Sequence, residues 1–490
     1  MLSNQAPRRH SRLSHPALTL IGLIFFAYFA GTGILLAQSP GDVGVDDPYF
    51  PNLGNGGYDV LHYTIDARFD VEANTLQATT LIDAQAAQAL SRLNLDFQRI
   101  DIGSVRVDEG EASFEQRNGE LTITPAAAIS EGQVFRVEVR YGGSPSSYPF
   151  QQTIADLGWY DLESHLVGMG EPAGSSTWYP VNEHPSDKAT YTFRLTAPKP
   201  YMAVASGVLV ERIVGADETT YVWEMRQPMA SYLTLVAVGE FVEISDETAD
   251  GLPIRSYAPP HLVRRAETAF ARTSEIIAAY EALFGDYPFE AVGGLVVDGG
   301  FGFALETQSM PIYDGMIIRA PINLSEQFIA HELAHQWFGN SVSPATWRDI
   351  WLNEGFATYA SWLWVEQSAG LSVFGNLARN SYVELRNSRR LARPGDARGP
   401  VTGDPGVEAI FDGEVIYTRG AVTLHALRLK VGDDAFFEIV RTYYDRFKFG
   451  NASTGDFIAV AEEVSGADLS DFFEGWLFEA DVPLIPELES

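Results

Sequence analysis

Apolar and polar residues alternate along much of the first half of the chain, from about residue 59 to residue 245. The alternation is clearest over residues 60–65 and 135–141, as expected for strands that bury one face. Short glycine-containing segments interrupt these runs where turns are expected, at residues 55–57, 142–145 and 215–218. This half is therefore predicted to be an all-β, sheet-rich domain.

The pattern changes near Pro259 and Pro260. Between residues 262 and 283 the apolar residues recur at helical spacing, with Ala, Glu and Arg between them. A short apolar strand is predicted over residues 294–298, and helical patterns dominate from there to the end. A β-rich part followed by a mostly helical part makes the predicted fold class α+β, with more than one domain.

Near the N terminus, residues 17–36 form an uncharged stretch of 20 residues, about 30 Å long as a helix and able to span a bilayer. Arg8, Arg9 and Arg12 precede it and acidic residues follow it, which favours a cytoplasmic N terminus. Residues 1–40 are predicted to be either a membrane anchor or a signal peptide cleaved near Ala37, and both alternatives stay open. In either case the rest of the chain is expected to be extracytoplasmic, anchored to the membrane or secreted.

Charge and cysteine content exclude several classes of protein. The 490 residues include 33 basic and 65 acidic ones, a formal net charge of −32. So negative a surface repels phosphate backbones, and no nucleic-acid partner is expected. The chain has no cysteine, so thiolate nucleophiles, iron–sulfur clusters and Cys-ligated zinc are excluded. Any metal must be bound by His, Asp or Glu.

The segment His331-Glu332-Leu333-Ala334-His335 is the strongest chemical signal in the chain. On a helix, a spacing of four residues places the two imidazoles on one face, about 6 Å apart along the axis, so both can bind one ion. Glu332 points elsewhere and is free to act on a water molecule at the metal.

The residues around this motif predict a helix. Asn323 with Glu326 three residues later resembles a capping arrangement, and residues 339–340, Gly-Asn, are expected to end the helix. Apolar Phe328, Ile329 and Leu333 indicate that the helix is packed.

A catalytic zinc site of this kind has a third protein ligand and leaves the fourth position for water. Downstream, residues 349–357 read Asp-Ile-Trp-Leu-Asn-Glu-Gly-Phe-Ala and offer Glu354 on a second helical segment, with 18 residues between His335 and Glu354. His331, His335 and Glu354 are therefore the predicted ligands of one Zn²⁺ per chain.

This pattern resembles the aminopeptidase N and leukotriene hydrolase family of zinc metallopeptidases, the gluzincins, in a compact bacterial form. The resemblance rests on the segment His-Glu-x-x-His followed by 18 residues and Glu354, on Asn-Glu-Gly-Phe-Ala around Glu354, and on Gln-Trp-Phe-Gly-Asn after His335. It implies a saddle-like β-rich N-terminal domain over residues 45–255, a thermolysin-like, mostly helical catalytic domain over 256–480, and a tail over 481–490. Large members add a helical C-terminal domain, which is not expected here because the chain ends soon after Leu477.

The resemblance also implies further site residues. Tyr417 matches the family's catalytic tyrosine, which donates a hydrogen bond to the oxyanion. Residues 303–307 match an edge strand that pairs with the substrate backbone, with Ala304 in the strand and Glu306 binding the free α-ammonium group. Glu171 matches a second residue on the same amine. Phe303 and Thr307 replace the family's usual glycine and asparagine. His425 is expected to be a packing or surface residue, because the ligand set is already complete.

Together these observations predict a zinc-dependent aminopeptidase that hydrolyses N-terminal residues from peptides, with Glu332 as general base. An endopeptidase or an epoxide-hydrolase-like enzyme could use the same site, and a non-catalytic scaffold is the alternative outside enzymes. The expected partners are peptides with a free N terminus, and the membrane if residues 17–36 are retained. The sequence does not indicate the preferred first residue or the oligomeric state.

Overall fold

The first half of the described chain consists of β-strands. The computed structural model describes residues 39–149, 156–162, 165–388 and 401–489. Up to residue 239 its strands are β1 (Ser39–Pro40), β2 (Tyr58–Asp70), β3 (Thr75–Ala86), β4 (Leu90–Asp96), β5 (Asp101–Val107), β6 (Gly110–Glu111), β7 (Ser113–Arg117), β8 (Glu120–Thr124), β9 (Val134–Gly143), β10 (Gly158–Asp161), β11 (His165–Met169), β12 (Lys188–Pro198), β13 (Met202–Ala205), β14 (Val208–Val214), β15 (Glu218–Ala230) and β16 (Val236–Gly239).

These strands form one large sheet and two smaller ones. The eight-stranded sheet has the order β14-β15-β12-β2-β3-β9-β5-β6, in which β2 and β12 are parallel and the other pairs antiparallel. The smaller sheets have the orders β1-β4-β8-β7 and β10-β11-β16-β13. The predicted strands at residues 60–65 and 135–141 are confirmed within β2 and β9, whose buried residues alternate with exposed ones.

The second half is mostly helical. Its helices are α1 (Val263–Phe270), α2 (Thr273–Phe284), α3 (Gly315–Arg319), α4 (Ile322–Ala334), α5 (Trp351–Ala369), α6 (Leu371–Asn387), α7 (Arg419–Val431), α8 (Asp433–Phe447), α9 (Thr454–Ser465), α10 (Ser470–Phe473) and α11 (Pro486–Glu489). Its strands are β17 (Val242–Glu247), β18 (Pro253–Ala258), β19 (Val292–Val297), β20 (Ala304–Leu305), β21 (Ile312–Asp314), β22 (Ser343–Pro344) and β23 (Asn451–Ala452).

Strands β17 to β21 form a mixed sheet with the order β17-β18-β19-β21-β20, and β22 pairs with β23. The central strands β18, β19 and β21 are parallel, whereas β20 is antiparallel to β21 and lies at the edge. The predicted domain limit at residue 255 falls inside β18, so this sheet includes residues from both sides of it. The predicted tail is also packed, since Ile485 and Leu488 are buried.

The structure corrects two local predictions. The helical pattern over 262–283 is two helices, α1 and α2, separated at residues 271–272, and there Arg272 pairs with Glu326 on α4 and stacks over Trp364. The predicted cap of α4 is wrong, because the helix starts after Pro321 and Asn323 lies inside its first turn. Pro321 directly precedes the first residue of α4. The first N–H groups of a helix have no partner within the helix, so a residue without an N–H suits this position.

Helix α4 also ends earlier than predicted, at Ala334 rather than at residues 339–340. The predicted leader over residues 1–40, including the apolar stretch 17–36, lies outside the described residues except for its last two. Among the residues that the structure does describe, no helix combines the length and the apolar character needed to cross a bilayer.

Candidate active site

Helices α4 and α5 bring together the three predicted zinc ligands. Nε2 of His331 lies 3.1 Å from Nε2 of His335, and each of these nitrogens lies near Oε2 of Glu354, at 3.2 and 3.4 Å. His335 and Glu354 are fully buried, and His331 is partly exposed to the cavity in front of it. The ligand atoms therefore form a nearly equilateral triangle that opens towards the cavity.

The size of this triangle fits Zn²⁺. Zinc–nitrogen bonds of about 2.0–2.1 Å in a tetrahedron separate neighbouring ligand atoms by about 3.3–3.4 Å. The three observed distances lie close to this value. Nδ1 of His335 donates to the carbonyl oxygen of Phe338 at 3.0 Å, which leaves the lone pair of Nε2 for the metal. The donor set and its geometry thus fit a tetrahedral zinc with one position left for water or substrate.

The charged groups around the ligand triangle also favour the binding of a cation. Although burial raises the pKa of a carboxyl group, the adjacent imidazoles lower that of Glu354 to about 2. Burial lowers the pKa of an imidazole, yet Glu306 and Glu354 raise that of His335 to about 10. Positive charge between these groups is therefore strongly stabilised, and a divalent metal ion supplies it.

Glu332 lies beside the triangle without being part of it. Its carboxylate lies within 4.8 Å of a ring nitrogen of His335 and of the carboxylate of Glu306. Burial raises the pKa of Glu332 well above its usual range, with His335 acting in the opposite direction. A buried carboxyl group at this distance can exchange a proton with a water molecule at the metal.

Tyr417 lies on the open side of the site, in the helical turn Gly413–Thr418 that precedes α7. Its ring stacks on that of His331, with centroids 5.9 Å apart and planes at 14°. Burial and the surrounding carboxylates, Glu354 first among them, raise the pKa of Tyr417 well above its usual range. The phenol therefore remains protonated and able to donate a hydrogen bond.

The predicted edge strand is β20, and its position is held by the segment that follows α4. Asn340 donates from Nδ2 to the carbonyl oxygen of Glu306 at 2.7 Å, and Gln336 donates from Nε2 to the same oxygen at 3.3 Å. Ala304 pairs with Tyr313 on one side, and no described strand pairs with β20 on the other. The free edge of β20 lines the cavity, as required for pairing with an extended peptide.

Two buried carboxylates lie next to this edge. Glu306 is 2% exposed and Glu171 is 8% exposed, and Oε1 of each has no hydrogen-bond partner among the described residues. Oxygens of Glu171, Glu306 and Glu354 lie within 4.8 Å of one another. Burial and the neighbouring carboxylates raise the pKa of Glu171 well above its usual range. Such a cluster is costly unless a cationic group completes it.

The N-terminal half of the chain holds Glu171 in place. Glu183 is fully buried and accepts hydrogen bonds at Oε1 from the amides of Gly174 and Ser176, which fixes the loop after Glu171.

Lys188 connects the N-terminal half to the turn after α4. Nζ of Lys188 donates to the carbonyl oxygens of Asn340 and Ser341, both at 2.9 Å, so β12 is tied to this turn. Burial lowers the pKa of Lys188 to about 7.

The departures from the family pattern at residues 303 and 307 are accommodated locally. Thr307 is fully buried and donates from Oγ1 to the carbonyl oxygen of Met310 at 2.6 Å. Phe303 packs on Phe301 with ring centroids 4.7 Å apart and forms part of the cavity wall. His425, predicted to be no ligand, is buried between Tyr359 and Phe374.

All eight predicted site residues line one cavity of about 550 Å³. The sequence pattern did not predict that Gln336 and Asn340 hold β20, although these two residues lie four apart directly after the motif. It also missed the apolar wall and rim of the cavity, since these residues are scattered along the chain: Leu157, Tyr160, Met169, Leu305, Phe328 and Phe411.

Comparison with known families gives matches over both halves of the chain. Residues 60–233 match the peptidase M1 N-terminal domain, and residues 269–476 match the peptidase family M1 domain. The glutamyl aminopeptidase of Rattus norvegicus is 27% identical over 395 residues, which are 76% of this chain and 41% of that protein. The aminopeptidase N of Streptomyces lividans is 29% identical over 351 residues, which are 67% and 40% of the two chains. The chain thus spans less than half the length of these two relatives.

Solved structures match at nearly full length. The M1 zinc metallopeptidase of Deinococcus radiodurans superimposes with a TM-score of 0.81 at 27% identity, over 90% of this chain and 98% of that one. A variant of that enzyme bound to a Tyr-Ser-Ala substrate matches equally well, at 28% identity. The two domain matches agree with the two-domain fold and with the geometry of the three predicted ligands. The chain belongs to peptidase family M1, the zinc metallopeptidases.

Proposed function

We propose that the protein is a zinc-dependent aminopeptidase that removes N-terminal residues from peptides. The observation that carries this proposal is the pair of buried carboxylates beside the zinc triangle, Glu171 and Glu306, each with an oxygen that has no hydrogen-bond partner among the described residues. The α-ammonium group of a peptide is the cation that would complete them. It would also hold the first peptide bond next to the metal.

When bound, zinc supplies a Lewis acid that polarises the scissile carbonyl group and favours deprotonation of water. Glu332 takes the proton from the attacking water and passes it to the leaving amine. Tyr417 donates its phenolic hydrogen bond to the oxyanion. The free edge of β20, at Ala304, pairs with the peptide backbone and aligns the bond to be cleaved.

A comparison of Leu-arylamide with acetyl-Leu-arylamide tests this proposal. Acetylation removes the charge that pairs with Glu171 and Glu306, and the loss of a charge-assisted hydrogen bond costs about 1.5–3 kcal/mol, or roughly ten- to a hundredfold in kcat/KM. The substitution Glu306→Ala should narrow the gap between the two substrates. Equal rates on both substrates would refute amine recognition and favour an endopeptidase on the same zinc site.

We further propose that the catalytic unit acts outside the cytoplasm, tethered by residues 17–36 or released after cleavage. This proposal rests on the basic residues before that apolar stretch and the acidic residues after it. A reporter that is active only outside the cytoplasm, fused after Ser490, should be active in cells. Activity restricted to a cytoplasmic reporter at the same position would refute the proposal.

A further inference from the structure

We infer that the cavity selects a large apolar first residue and rejects an acidic one, with Met169 as the wall residue that sets this preference. This inference rests on the proposed aminopeptidase function and specifies its substrate class. It concerns the part of the cavity next to Glu171 and Glu306.

Covalent geometry places the side chain of the first residue in this part of the cavity. The ammonium nitrogen and the side-chain β-carbon are bonded to the same α-carbon, so they lie only about 2.5 Å apart. An ammonium group between Glu171 and Glu306 therefore directs the side chain towards the walls beside these carboxylates. Met169 lies two residues before Glu171, and Leu305 directly precedes Glu306.

These walls are apolar and buried. Met169 is 1% exposed and lines the cavity together with Leu157 and Leu305, which are also buried. Phe328, by contrast, is 46% exposed and belongs to the rim, where the later residues of a peptide would pass. A leucine, methionine or phenylalanine side chain against the buried wall displaces water from apolar surface on both partners.

The charges in the cavity oppose an acidic side chain. The described charged side chains that line it, apart from the histidines, are the carboxylates of Glu171, Glu306, Glu332 and Glu354, with no lysine or arginine among them. A substrate carboxylate would lose its hydration and, among the described residues that line the cavity, would find no lysine or arginine as a partner. The preference inferred for this chain thus differs from the activity named for its glutamyl aminopeptidase relatives.

The first test uses the zinc-loaded full chain and four arylamides, of leucine, phenylalanine, glutamine and glutamate. Glutamine and glutamate have nearly the same shape, so their ratio isolates the effect of charge. We expect kcat/KM for leucine or phenylalanine to exceed that for glutamine at least tenfold, and glutamine to exceed glutamate at least tenfold.

The second test changes the wall. Met169→Arg should raise the ratio of glutamate to leucine hydrolysis at least tenfold, because it supplies the missing cation. The milder substitution Met169→Gln should raise the ratio of glutamine to leucine hydrolysis several-fold, and it covers the case in which the arginine variant does not fold. Val214→Arg adds the same charge on an exposed position of β14 and should leave all ratios unchanged. Zinc content and thermal unfolding report whether each variant is folded.

The outcomes separate this inference from the function on which it rests. If none of the four arylamides is hydrolysed by zinc-loaded protein, the proposed aminopeptidase activity fails. If glutamate is hydrolysed as fast as leucine, or if folded Met169 variants keep the wild-type ratios, the activity stands and the inference about the wall is overturned.

Discussion

At the scale of single residues, four glutamates meet in the cavity with different surroundings. Glu354 lies against two imidazoles, which lower its pKa to about 2 although burial opposes ionisation. Burial raises the pKa values of Glu332 and Glu171 well above their usual range. One residue type can therefore serve as metal ligand, base and amine acceptor, because position decides which neighbours each carboxylate has.

The first prediction concerns Glu332. Glu332→Gln should keep bound zinc, because the ligand triangle is intact, and should lower kcat on Leu-arylamide by about a hundredfold to ten-thousandfold through loss of the base. Metal analysis and steady-state kinetics measure the two effects separately. Glu267→Gln, an exposed substitution on α1, is the matched control and should change neither. Turnover of Glu332→Gln near that of wild type would contradict the role as base.

The second prediction concerns Tyr417. Tyr417→Phe keeps the ring that stacks on His331 and removes only the hydroxyl group. Because the proposed mechanism has that hydroxyl donate to the oxyanion, the substitution should lower kcat about a hundredfold or more with a smaller change in KM. Steady-state kinetics with Leu-arylamide separate the two constants. A change confined to KM would assign Tyr417 to substrate binding instead.

At the scale of elements, the site depends on how closely α5 approaches α7. Gly355 on α5 and Gly420 on α7 face each other, and a β-carbon added to either residue would lie 2.8–2.9 Å from the α-carbon of the other. This contact brings the turn with Tyr417 close to the helix with Glu354. Gly355 directly follows Glu354, and Gly420 is the second residue of α7, just after the turn that carries Tyr417. Close packing explains why no larger residue fits at either position.

The third prediction follows from this contact. Gly355→Ala and Gly420→Ala should each lower the free energy of unfolding by about 1–3 kcal/mol, because backbone atoms must move to admit the methyl group. Gly375→Ala on α6 is the matched control, since its added β-carbon meets no atom within 4 Å. It should stabilise the protein by about 0.5–1 kcal/mol through helix propensity. Chemical denaturation measures all three, and equal effects at the three positions would contradict the packing argument.

At the scale of the whole molecule, residues from distant parts of the chain surround one cavity. The described residues from 39 onwards form one compact unit, to which the N-terminal half contributes Glu171 and the catalytic half contributes the predicted zinc ligands. The zinc ligands also connect α4 to α5. Metal binding should therefore stabilise the folded unit as well as support catalysis.

The fourth prediction concerns metal removal. Chelation should abolish hydrolysis of Leu-arylamide and lower the Tm, and added zinc should restore both. At a free zinc concentration of 100 times its Kd the expected stabilisation is about 2.7 kcal/mol. Thermal unfolding of wild type and of His335→Ala, with and without zinc, provides the comparison. A Tm of the wild type that does not respond to zinc would count against the ligand triangle.

Local periodicity and residue spacing were enough to predict several features of the fold and of the site. Alternation placed the strands at residues 60–65 and 135–141, because successive side chains of a strand face opposite sides. The four-residue spacing of His331 and His335, together with Glu354, predicted three ligands, and the structure brings these residues within reach of one metal ion. Tyr417, Glu306 and Glu171 were predicted only through the family resemblance, since no periodic pattern separates one of the 21 tyrosines from the rest or these glutamates from the other acidic residues.

Other features depend on contacts between residues far apart in the chain, and these became visible only in the folded molecule. The break between α1 and α2 places Arg272 against Glu326 and Trp364, contacts that the continuous helical pattern could not reveal. Strand β18 joined the catalytic sheet by pairing with β19, and Met169 became a cavity wall by the packing of β11. Helical and strand periodicity arise from the local backbone geometry, so they can be read from the spacing of residues. Cavities, sheet order and helix contacts arise from packing between residues far apart in the chain, and the spacing of residues in one sequence does not specify which of them meet.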